Sequence, residues 1–160
     1  MLWRLTRAEF ERRKGTGTKR ALRRLVGKGD PPGVLAYVGD VAVGWCAIGP
    51  RETYPALERS RIMRPPPPDA SRVWCVTCFY VAPRFRRRGL SVQLLRAAVT
   101  FAGRRGARVV EGYPIVPSRS DYPPAFASIG LAGTFSGAGF RQVAQPSPTR
   151  LIMRYSVRHS

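Results

Sequence analysis

At 160 residues, with three cysteines and no apolar run near the ~18 residues of a membrane span, the chain does not fit a disulfide scaffold or a transmembrane protein. Its formal net charge is +19, from 28 lysines and arginines against nine acidic residues. We predict one cytoplasmic domain over residues 1–160, without a signal peptide. The charge indicates an anionic partner, or an arginine-rich composition spread over a solvated surface.

Two short helices are predicted at the start of the chain. Thr6 is followed three residues later by Glu9, which is the capping-box pattern of a helix N-terminus. We expect this helix to end near Gly15. A second helix with the basic sequence KRALRRLV should end at Gly27, because glycine is common just after a helix.

A β-hairpin is predicted after these helices. Two runs rich in strand-forming residues, at about 33–38 and 41–48, flank the two-residue turn Gly39–Asp40, which has glycine first. Further along, the prolines at 65–68 cannot join a hydrogen-bonded ladder, so we place them in a surface connection. An inter-domain linker is the alternative, but the part before it is too small to fold alone.

The middle of the chain predicts a βαβ unit. The sequence RVWCVTCFYVAP is apolar on both faces, as expected of a strand in the centre of a sheet. A helix with a wide apolar face begins near Leu90 and ends before Gly106, and ARVVEGYPI reads as a second buried strand. This order predicts a parallel strand pair joined by a right-handed crossover.

The rest of the chain completes the predicted fold. PPAFASIGLAGTFSGAGF predicts a helix interrupted by glycines, and FRQVAQ and TRLIMRYSV predict two closing strands. The fold class is therefore α/β or α+β, with one mixed sheet. Cys75 and Cys78 lie three apart on a strand, so they should point to opposite faces and cannot share a metal ion. We predict no metal site, since His159 is the only histidine.

The turn between the central strand and its helix is the first candidate site. It contains six consecutive residues: Arg86, Arg87, Arg88, Gly89, Leu90 and Ser91. The first N–H groups of a helix lack partners within the helix and carry partial positive charge. Small residues at two of these positions let an anion approach the backbone, so the turn predicts a phosphate site. A solvated arginine run beside an ordinary turn is the alternative.

The same stretch, FYVAPRFRRRGLSVQLLRAA, resembles motif A of the GNAT superfamily of acetyl-CoA-dependent N-acetyltransferases. That pattern is a strand ending in V-x-P, then an aromatic residue, then [QR]-x-x-G-x-[GA] opening a helix. The matching residues here are Val81, Pro83, Phe85, Arg86, Gly89 and Ser91. Ser91 departs from the usual glycine or alanine, and Arg87 stands where many relatives have glycine. The resemblance extends through the order of elements over about residues 3–157.

The resemblance implies a GNAT-like fold, with a mostly antiparallel central sheet and one splayed parallel pair, here about 73–81 and 107–113. In such proteins the pantetheine arm of acetyl-CoA enters the gap between these strands. It bonds the backbone of the first strand, here Phe79, Tyr80 and Val81. The resemblance thus implies acetyl-CoA as cosubstrate, without a metal.

The resemblance also places the phosphates of acetyl-CoA. The pyrophosphate rests on N–H groups of residues 86–91, and the candidates to meet the 3′-phosphate are Arg84, Arg87 and Arg88. The implied reaction is direct acetyl transfer to a primary amine in a ternary complex. The acceptor is left open among a small metabolite, an aminoglycoside-like drug, a protein terminus and an aminoacyl-tRNA. The protein is expected to be a monomer or homodimer, without a membrane partner.

Two catalytic residues are proposed on the second parallel strand, Glu111 and Tyr113. Glu111 is the best candidate base, because desolvation on a buried strand favours proton uptake by a carboxylate. The alternative is a structural glutamate paired with an arginine. Glu52 and Glu58 are further acids that could line the acceptor side, though both fit a surface position better.

The general acid departs from the family pattern. Many relatives have tyrosine in a Y-x-x-x-G-F pattern on the late helix, where this chain has Phe135. Tyr113, Ser136 or Tyr122 could replace it, or solvent could protonate the thiolate. A third possibility is a catalytically silent acetyl-CoA-binding protein.

A function of another class, nucleic-acid binding, also competes. The net charge and the basic helix KRALRRLV favour it. Against it, the sequence has no established nucleic-acid motif and no aromatic–basic alternation of the kind that single-strand binders use. The two functions merge if the acceptor is a charged tRNA.

Overall fold

A computed structural model describes residues 2–63, 72–117 and 129–158 of the chain. Four predicted features lie outside these residues: the prolines at 65–68, Tyr122, residues 123–128 of the predicted late helix, and His159. The described part contains all the residues of the candidate phosphate turn and both proposed catalytic residues.

Six strands form one mixed sheet. In chain order they are β1 (Gly33–Val38), β2 (Val41–Pro50), β3 (Val73–Val81), β4 (Val109–Gly112), β5 (Arg141–Ser147) and β6 (Arg150–Ser156). Their order across the sheet is β1-β2-β3-β4-β6-β5. Of the described strand pairs, β3 and β4 run parallel and the other four are antiparallel. The predicted fold class, a mixed sheet with one parallel pair, is confirmed.

Five α-helices accompany the sheet in the described ranges. They are α1 (Arg7–Arg12), α2 (Thr16–Gly27), α3 (Pro55–Arg59), α4 (Leu90–Arg104) and α5 (Ala132–Gly137). Single 3₁₀ turns lie at Leu2–Arg4, Arg51–Thr53 and Pro83–Phe85. Among all the helices that the structure describes, none combines the length and the apolar character needed to cross a bilayer.

Local sequence signals set several element ends as predicted. The Thr6 side chain accepts from the Glu9 N–H, and the Thr6 N–H donates to Glu9 Oε2 at 2.8 Å, so the capping box is present. Gly39 has φ 56° in the turn between β1 and β2, which is the glycine-first hairpin turn. α4 is followed by Gly106 in the left-handed region at φ 84°.

One predicted element differs in extent. In the described part of the predicted late helix, Gly130 has φ 90° and Leu131 is extended, so α5 begins at Ala132 after the glycine interruption. The second parallel strand spans Val109–Gly112 rather than 107–113. Its short length leaves the end of β3 without a partner on that side.

The sheet separates two hydrophobic cores. On one face α4 and α5 pack against the sheet, through a buried set that includes Val76, Phe79, Leu94, Leu95, Ala98, Phe135 and Phe140. On the opposite face a smaller core contains Tyr54, Leu57, Val73, Cys75, Tyr113 and Ile152. Residues that alternate along β3 therefore enter different cores, as expected of a central strand covered on both faces.

The prediction that Cys75 and Cys78 point to opposite faces is wrong. Cys75 pairs with Gly49 and Cys78 pairs with Ala47, two residues apart on β2, so both cysteines lie on the face opposite α4. The cause is a bulge in β3, where Thr77 is an extra residue in the register. Within the described ranges no group of three or more potential metal ligands comes together.

The parallel pair separates along its length. β3 and β4 pair from Val73 opposite Val109 to Val76 opposite Gly112, and β3 then continues alone to Val81. The separation begins at the same point as the Thr77 bulge. A gap therefore opens between the end of β3 and the residues after β4.

Gly112 lies at the start of this gap and is tightly covered. A Cβ at this position would overlap the ring of Phe135, which is fully buried. We expect Gly112→Ala to lower the free energy of unfolding by about 1–3 kcal/mol, because the ring can move only by disturbing its core. Chemical denaturation should show this loss, while Gly133→Ala, in open space on α5, should stay within about 0.5 kcal/mol of the native protein.

Candidate functional site

The turn that joins β3 to α4 contains two residues with positive φ, a conformation that few residue types adopt easily. Gly89 is the N-cap of α4 and lies in the left-handed region, with φ 74° and ψ 1°. A Cβ built on Gly89 would meet nothing within 4 Å, so the space above this glycine is open. Arg87 also has positive φ, at 60°, which explains why glycine suits this position in related sequences.

Backbone donors are concentrated in the turn. Of the predicted donors at 86–91, the Arg86 N–H is already engaged, since it donates to the Pro83 carbonyl at 3.3 Å, whereas the N–H groups from Arg87 to Ser91 form no hydrogen bond within the part of the chain that the structure describes. The Gly89 carbonyl begins the helix by accepting from Val92 at 3.0 Å and from Gln93 at 3.2 Å. Five consecutive donors at the positive end of a 15-residue helix form a seat for an anion.

The arginines of the turn have different roles. The Arg86 side chain folds back, and its Nε donates to the Val81 carbonyl oxygen at 3.0 Å, which ties the turn to the end of β3. The Arg88 guanidinium lies 6.0 Å from the centroid of the Phe85 ring. Arg84, Arg87 and Arg88 are exposed beside the five donors. These three can therefore meet a phosphate, whereas Arg86 braces the loop.

The free edge of β3 faces the gap. The Ala82 N–H donates to the Val43 carbonyl of β2 at 2.9 Å. Because alternate residues of an antiparallel ladder bond the neighbouring strand, the backbone groups of Phe79 and Val81 point away from β2 and into the gap. The Tyr80 backbone faces β2, and its side chain is exposed. Of the three predicted pantetheine residues, two present their backbone to the gap.

Glu111 lies at the centre of a buried polar cluster. Its Oε1 accepts from Arg51 Nη1 at 2.8 Å and its Oε2 accepts from Arg154 Nε at 2.8 Å. The Tyr113 hydroxyl donates to Glu111, accepts from Arg51 at 2.6 Å and lies 3.3 Å from Cys75 Sγ. We call these five residues the Glu111 cluster. The pairing with arginine, the structural alternative of the sequence analysis, is thus present in the fold.

Burial changes the protonation of this cluster. Burial raises the pKa of Cys75 to about 12, and the neighbouring Glu111 charge acts in the same direction. Burial also raises the pKa of Tyr113 well above its usual value, with Cys75 and Glu111 adding to the effect. Burial alone would lower the pKa of Arg51, but Tyr113, Cys75 and Glu111 raise it. The phenol and the thiol therefore stay neutral beside a charged guanidinium.

Phe135 occupies the position where many relatives have tyrosine. Its ring is fully buried and makes edge contacts with Phe79 at 5.9 Å and Phe140 at 5.0 Å between centroids. It closes the inner end of the gap on the α4 side as an apolar wall. Of the other candidates for proton transfer, Ser136 is exposed on α5.

The two other acids lie away from the gap. Glu52 is exposed in the 3₁₀ turn that follows β2. Glu58 on α3 is half-exposed and accepts from Arg51 Nε at 2.7 Å. Glu58 therefore extends the Glu111 cluster to the surface, with no contact to the β3 edge among those that the structure describes.

A small cavity lies on the face of the sheet opposite α4. Its volume is about 90 Å³. Its walls come from the N-terminal 3₁₀ turn, α2, β2, the residue before β1, the residue before α3 and the β3 bulge: Trp3, Arg4, Leu22, Pro32, Trp45, Ala47, Tyr54, Thr77 and Cys78. We call this space the bulge cavity. Two of its lining residues, Thr77 and Cys78, lie at the bulge of β3.

Sequence reasoning missed several of these residues. Arg51 and Arg154 carry no signal that separates them from the other arginines, since their partner Glu111 is 60 and 43 residues away in sequence. Arg4 and Trp45 come to line the same cavity only through the fold. The sequence offered one signal for a partner of Glu111: a buried glutamate requires a cationic partner, and the chain is rich in arginine.

The comparisons with known proteins agree with this architecture. The model of the acetyltransferase (GNAT) family matches residues 1–114. A solved protein from Desulfovibrio desulfuricans, described as an acetyltransferase of the GNAT family, shares 18% identity over 94% of this chain and 89% of its own, with a TM-score of 0.56. A search of curated proteins finds no match.

Two further solved structures share the fold. The yncA protein of Salmonella typhimurium, described as an acetyltransferase and solved with acetyl-CoA, has 15% identity over 89% of this chain and 75% of its own, with a TM-score of 0.54. Ard1 of Thermoplasma volcanium has 17% identity over 91% and 84%, with a TM-score of 0.53. Since the family model covers more than half of the chain, the protein belongs to the GNAT acetyltransferase family, as the motif predicts.

Proposed function

We propose that the protein transfers an acetyl group from acetyl-CoA directly to a primary amine held in the same complex. The observation that carries the proposal is the run of free N–H groups from Arg87 to Ser91, placed beside a gap between two parallel strands. The free N–H groups suit a pyrophosphate, and the gap suits the narrow, extended pantetheine arm. Family membership and a relative solved with acetyl-CoA support the same cosubstrate.

The residues present fit acetyl-CoA. Nothing lies above Gly89, so a pyrophosphate can reach the five backbone donors of the turn. Arg84, Arg87 and Arg88 are exposed nearby and suit the 3′-phosphate. The Phe79 carbonyl and the Val81 N–H face the gap and suit the pantetheine amides, whereas the Val81 carbonyl already accepts from Arg86 Nε. When bound, acetyl-CoA supplies the activated acetyl thioester.

The chain's own groups must then stabilise charge and move protons. The Phe79 N–H, which faces the gap near the β3 bulge, can donate to the developing oxyanion. We propose Glu111 and Tyr113 as the proton-handling pair. Glu111 is the candidate base that receives the amine proton, and Tyr113, which stays neutral, is the candidate acid that gives its hydroxyl proton to the departing CoA thiolate and recovers a proton from Glu111. The two arginines hold Glu111 in place for this exchange.

Cofactor binding and chemistry should be measured separately. We expect calorimetry to show acetyl-CoA binding, and thiol release with a panel of primary amines to show turnover. If acetyl-CoA binds but no amine causes release of the CoA thiol, the result favours a catalytically silent acetyl-CoA-binding protein. The apolar Phe135, at the position of the usual tyrosine, agrees with that outcome. Absence of acetyl-CoA binding would refute the proposal.

We also propose a cellular location and an oligomeric state. Cys46, Cys75 and Cys78 are all free thiols, which supports a reducing, cytoplasmic location. We propose a protein that needs no metal and acts as a monomer or homodimer. Size-exclusion chromatography with light scattering would distinguish the two assembly states.

Nucleic-acid binding is the second candidate function, and one structural observation favours it. α1, α2 and the residues around them present nine exposed basic side chains: Arg7, Arg12, Arg13, Lys14, Lys19, Arg20, Arg23, Arg24 and Lys28. The two acids of this region are engaged locally, Glu9 in the capping box and Glu11 with Lys14. Salt-dependent binding of an RNA oligonucleotide, unaffected by acetyl-CoA, would support this function.

A further inference from the structure

The two edges of the sheet differ in how they are protected against pairing with a further strand. β5, at one edge, contains Arg141 and Pro146 and has two breaks in its register with β6, all of which hinder such pairing. β1, at the other edge, contains neither a charged residue nor a proline. Its register with β2 shifts once, and the extra residue, Val43, lies in β2. β1 itself is therefore a regular strand without the charge or proline that usually protects an edge.

The free side of β1 presents backbone groups in a regular pattern. The Ile48 N–H donates to the Pro32 carbonyl at 3.1 Å, which fixes the alternation of hydrogen bonds between β2 and β1. In the described part of the chain β1 has no strand neighbour on its other side. By the same alternation, the N–H and carbonyl groups of the odd-numbered residues of β1 point to that free side: Gly33, Leu35 and Tyr37.

The face of β1 opposite α4 is apolar and exposed. Leu35 is 50% exposed and Tyr37 is 58% exposed, and both lie on this face because the alternate residues of β1 pack against the core beneath α4. Leu35 is in register with Trp45 of β2, which is in register with the 54% exposed Tyr80 of β3. A row of apolar and aromatic side chains thus crosses three strands up to the edge of the sheet. Contiguous exposed apolar surface of this kind marks a contact with another molecule.

Charge also distinguishes this edge from the rest of the molecule. Residues 29–50 contain no lysine or arginine and include two aspartates, Asp30 and Asp40, so all 28 basic residues lie elsewhere. Two copies of a chain with a net charge of +19 repel each other. That repulsion is weakest where an uncharged strand is flanked by acidic residues. An acidic partner would bind the basic surfaces, whereas the β1 edge suits a second copy of this chain.

We propose that two copies of the chain pair through β1, antiparallel about a two-fold axis at Leu35, so that one sheet runs through both subunits. This register is self-complementary, because Leu35 of each subunit faces Leu35 of the other and Gly33 faces Tyr37. All the outward N–H and carbonyl groups of these three residues then find partners across the axis. The pairing is independent of the proposed acetyl transfer, and it selects the homodimer from the two assembly states given above.

The side chains fit the same register. A Cβ at Gly33 would lie 2.7 Å from Trp45 Cη2, so the indole of the same subunit already covers this glycine. Tyr37 of the second copy lies opposite Gly33, and its ring can pack beside that indole on the same face of the sheet. The absence of a side chain at Gly33 therefore leaves room for both rings.

Sedimentation equilibrium of the full chain tests the interface. We expect a reversible, concentration-dependent dimer. Leu35→Arg should raise its Kd at least about 100-fold, because two arginines would face each other and two apolar side chains would leave the contact. The matched control is Val143→Arg, which adds the same charge at a 43% exposed residue of the β5 edge. This control should leave the Kd within about twofold of the native value, because distant exposed charges are screened by salt.

Amide hydrogen exchange tests the register independently. At protein concentrations above the Kd, the N–H groups of Gly33, Leu35 and Tyr37 should exchange slowly, because they bond the second copy. The same amides should exchange quickly at concentrations below the Kd and in Leu35→Arg. The Ala36 N–H, which bonds β2, should stay slow in all these samples, and this shows that the variant remains folded.

Each outcome decides the proposal. A monomer at every protein concentration up to about 0.5 mM, a dimer that Leu35→Arg leaves intact, or an equal loss in Val143→Arg would overturn it. A dimer without protection of the three outward amides would also overturn it, because the contact would then lie elsewhere. Acetyl-CoA affinity is measured separately, so failure of the proposed function is distinguished from failure of the pairing.

Discussion

Gly89→Glu is expected to lower the affinity for acetyl-CoA by at least about 100-fold, since the loss of two charge-assisted contacts amounts to roughly 3 kcal/mol. The new side chain would fill the open space above the turn and place a carboxylate among the five free N–H groups. That carboxylate would compete with the pyrophosphate and repel it. Isothermal titration calorimetry with acetyl-CoA measures the effect directly.

The control for this substitution is Gly29→Glu. Gly29 also has positive φ, at 80°, and a Cβ there would meet nothing within 4 Å, so the backbone strain is comparable. Both variants should lose about 1–2 kcal/mol of unfolding free energy from this strain. Only Gly89→Glu should lose acetyl-CoA. Unchanged affinity in Gly89→Glu would show that the phosphates lie elsewhere.

Glu111→Gln is expected to cost about 3 kcal/mol of unfolding free energy, because breaking a buried ion pair leaves uncompensated charge. Glu111 is fully buried, and the side chains of Arg51 and Arg154 are only 13% and 22% exposed. The amide can accept one hydrogen bond from these arginines but cannot neutralise them. Urea denaturation of the native protein and the variant gives the difference.

The matched control is Glu58→Gln, which removes another carboxylate bound to the same Arg51. Glu58 is 51% exposed, so its pair should be worth less than about 1 kcal/mol. A comparable loss of stability in the two variants would contradict the account of the Glu111 cluster as a buried ion pair.

Turnover separates the structural and catalytic roles of the same residue. We expect Glu111→Gln to lower kcat far more than the affinity for acetyl-CoA, because the carboxylate receives a proton but does not contact the proposed phosphate seat. Tyr113→Phe should lower kcat as well, while it leaves both arginine contacts of Glu111 intact. Full activity in both variants would remove this pair from the proton route and leave Glu111 as a structural anchor.

The fold was largely predictable because its signals are local. The capping box at Thr6, the Gly39 turn and the start of α4 at Gly89 depend on residues within one turn of each other. The βαβ unit followed from apolar periodicity, which reports directly on burial. The phosphate turn was visible for the same reason, since backbone donors at a helix start require only a glycine and a small residue.

Side-chain neighbours across the sheet were not predictable in the same way. One extra residue at Thr77 shifts the register of β3 and brings Cys75 and Cys78 to one face, which no spacing rule along a regular strand anticipates. The partners of Glu111 come from the 3₁₀ turn that follows β2 and from β6. Strand register and long-range pairing decide such contacts, and a short stretch of sequence determines neither of them.

The sequence by itself therefore determined the fold class and the position of the candidate phosphate turn, because both rest on local periodicity and backbone conformation, and the resemblance of its motif indicated the GNAT family. Only the tertiary structure decided that Glu111 is held between two arginines, that Phe135 closes the gap as an apolar wall, and that Arg4 faces a cavity beside the β3 bulge. These features depend on strand register and on packing between distant segments, which no short stretch of the sequence determines.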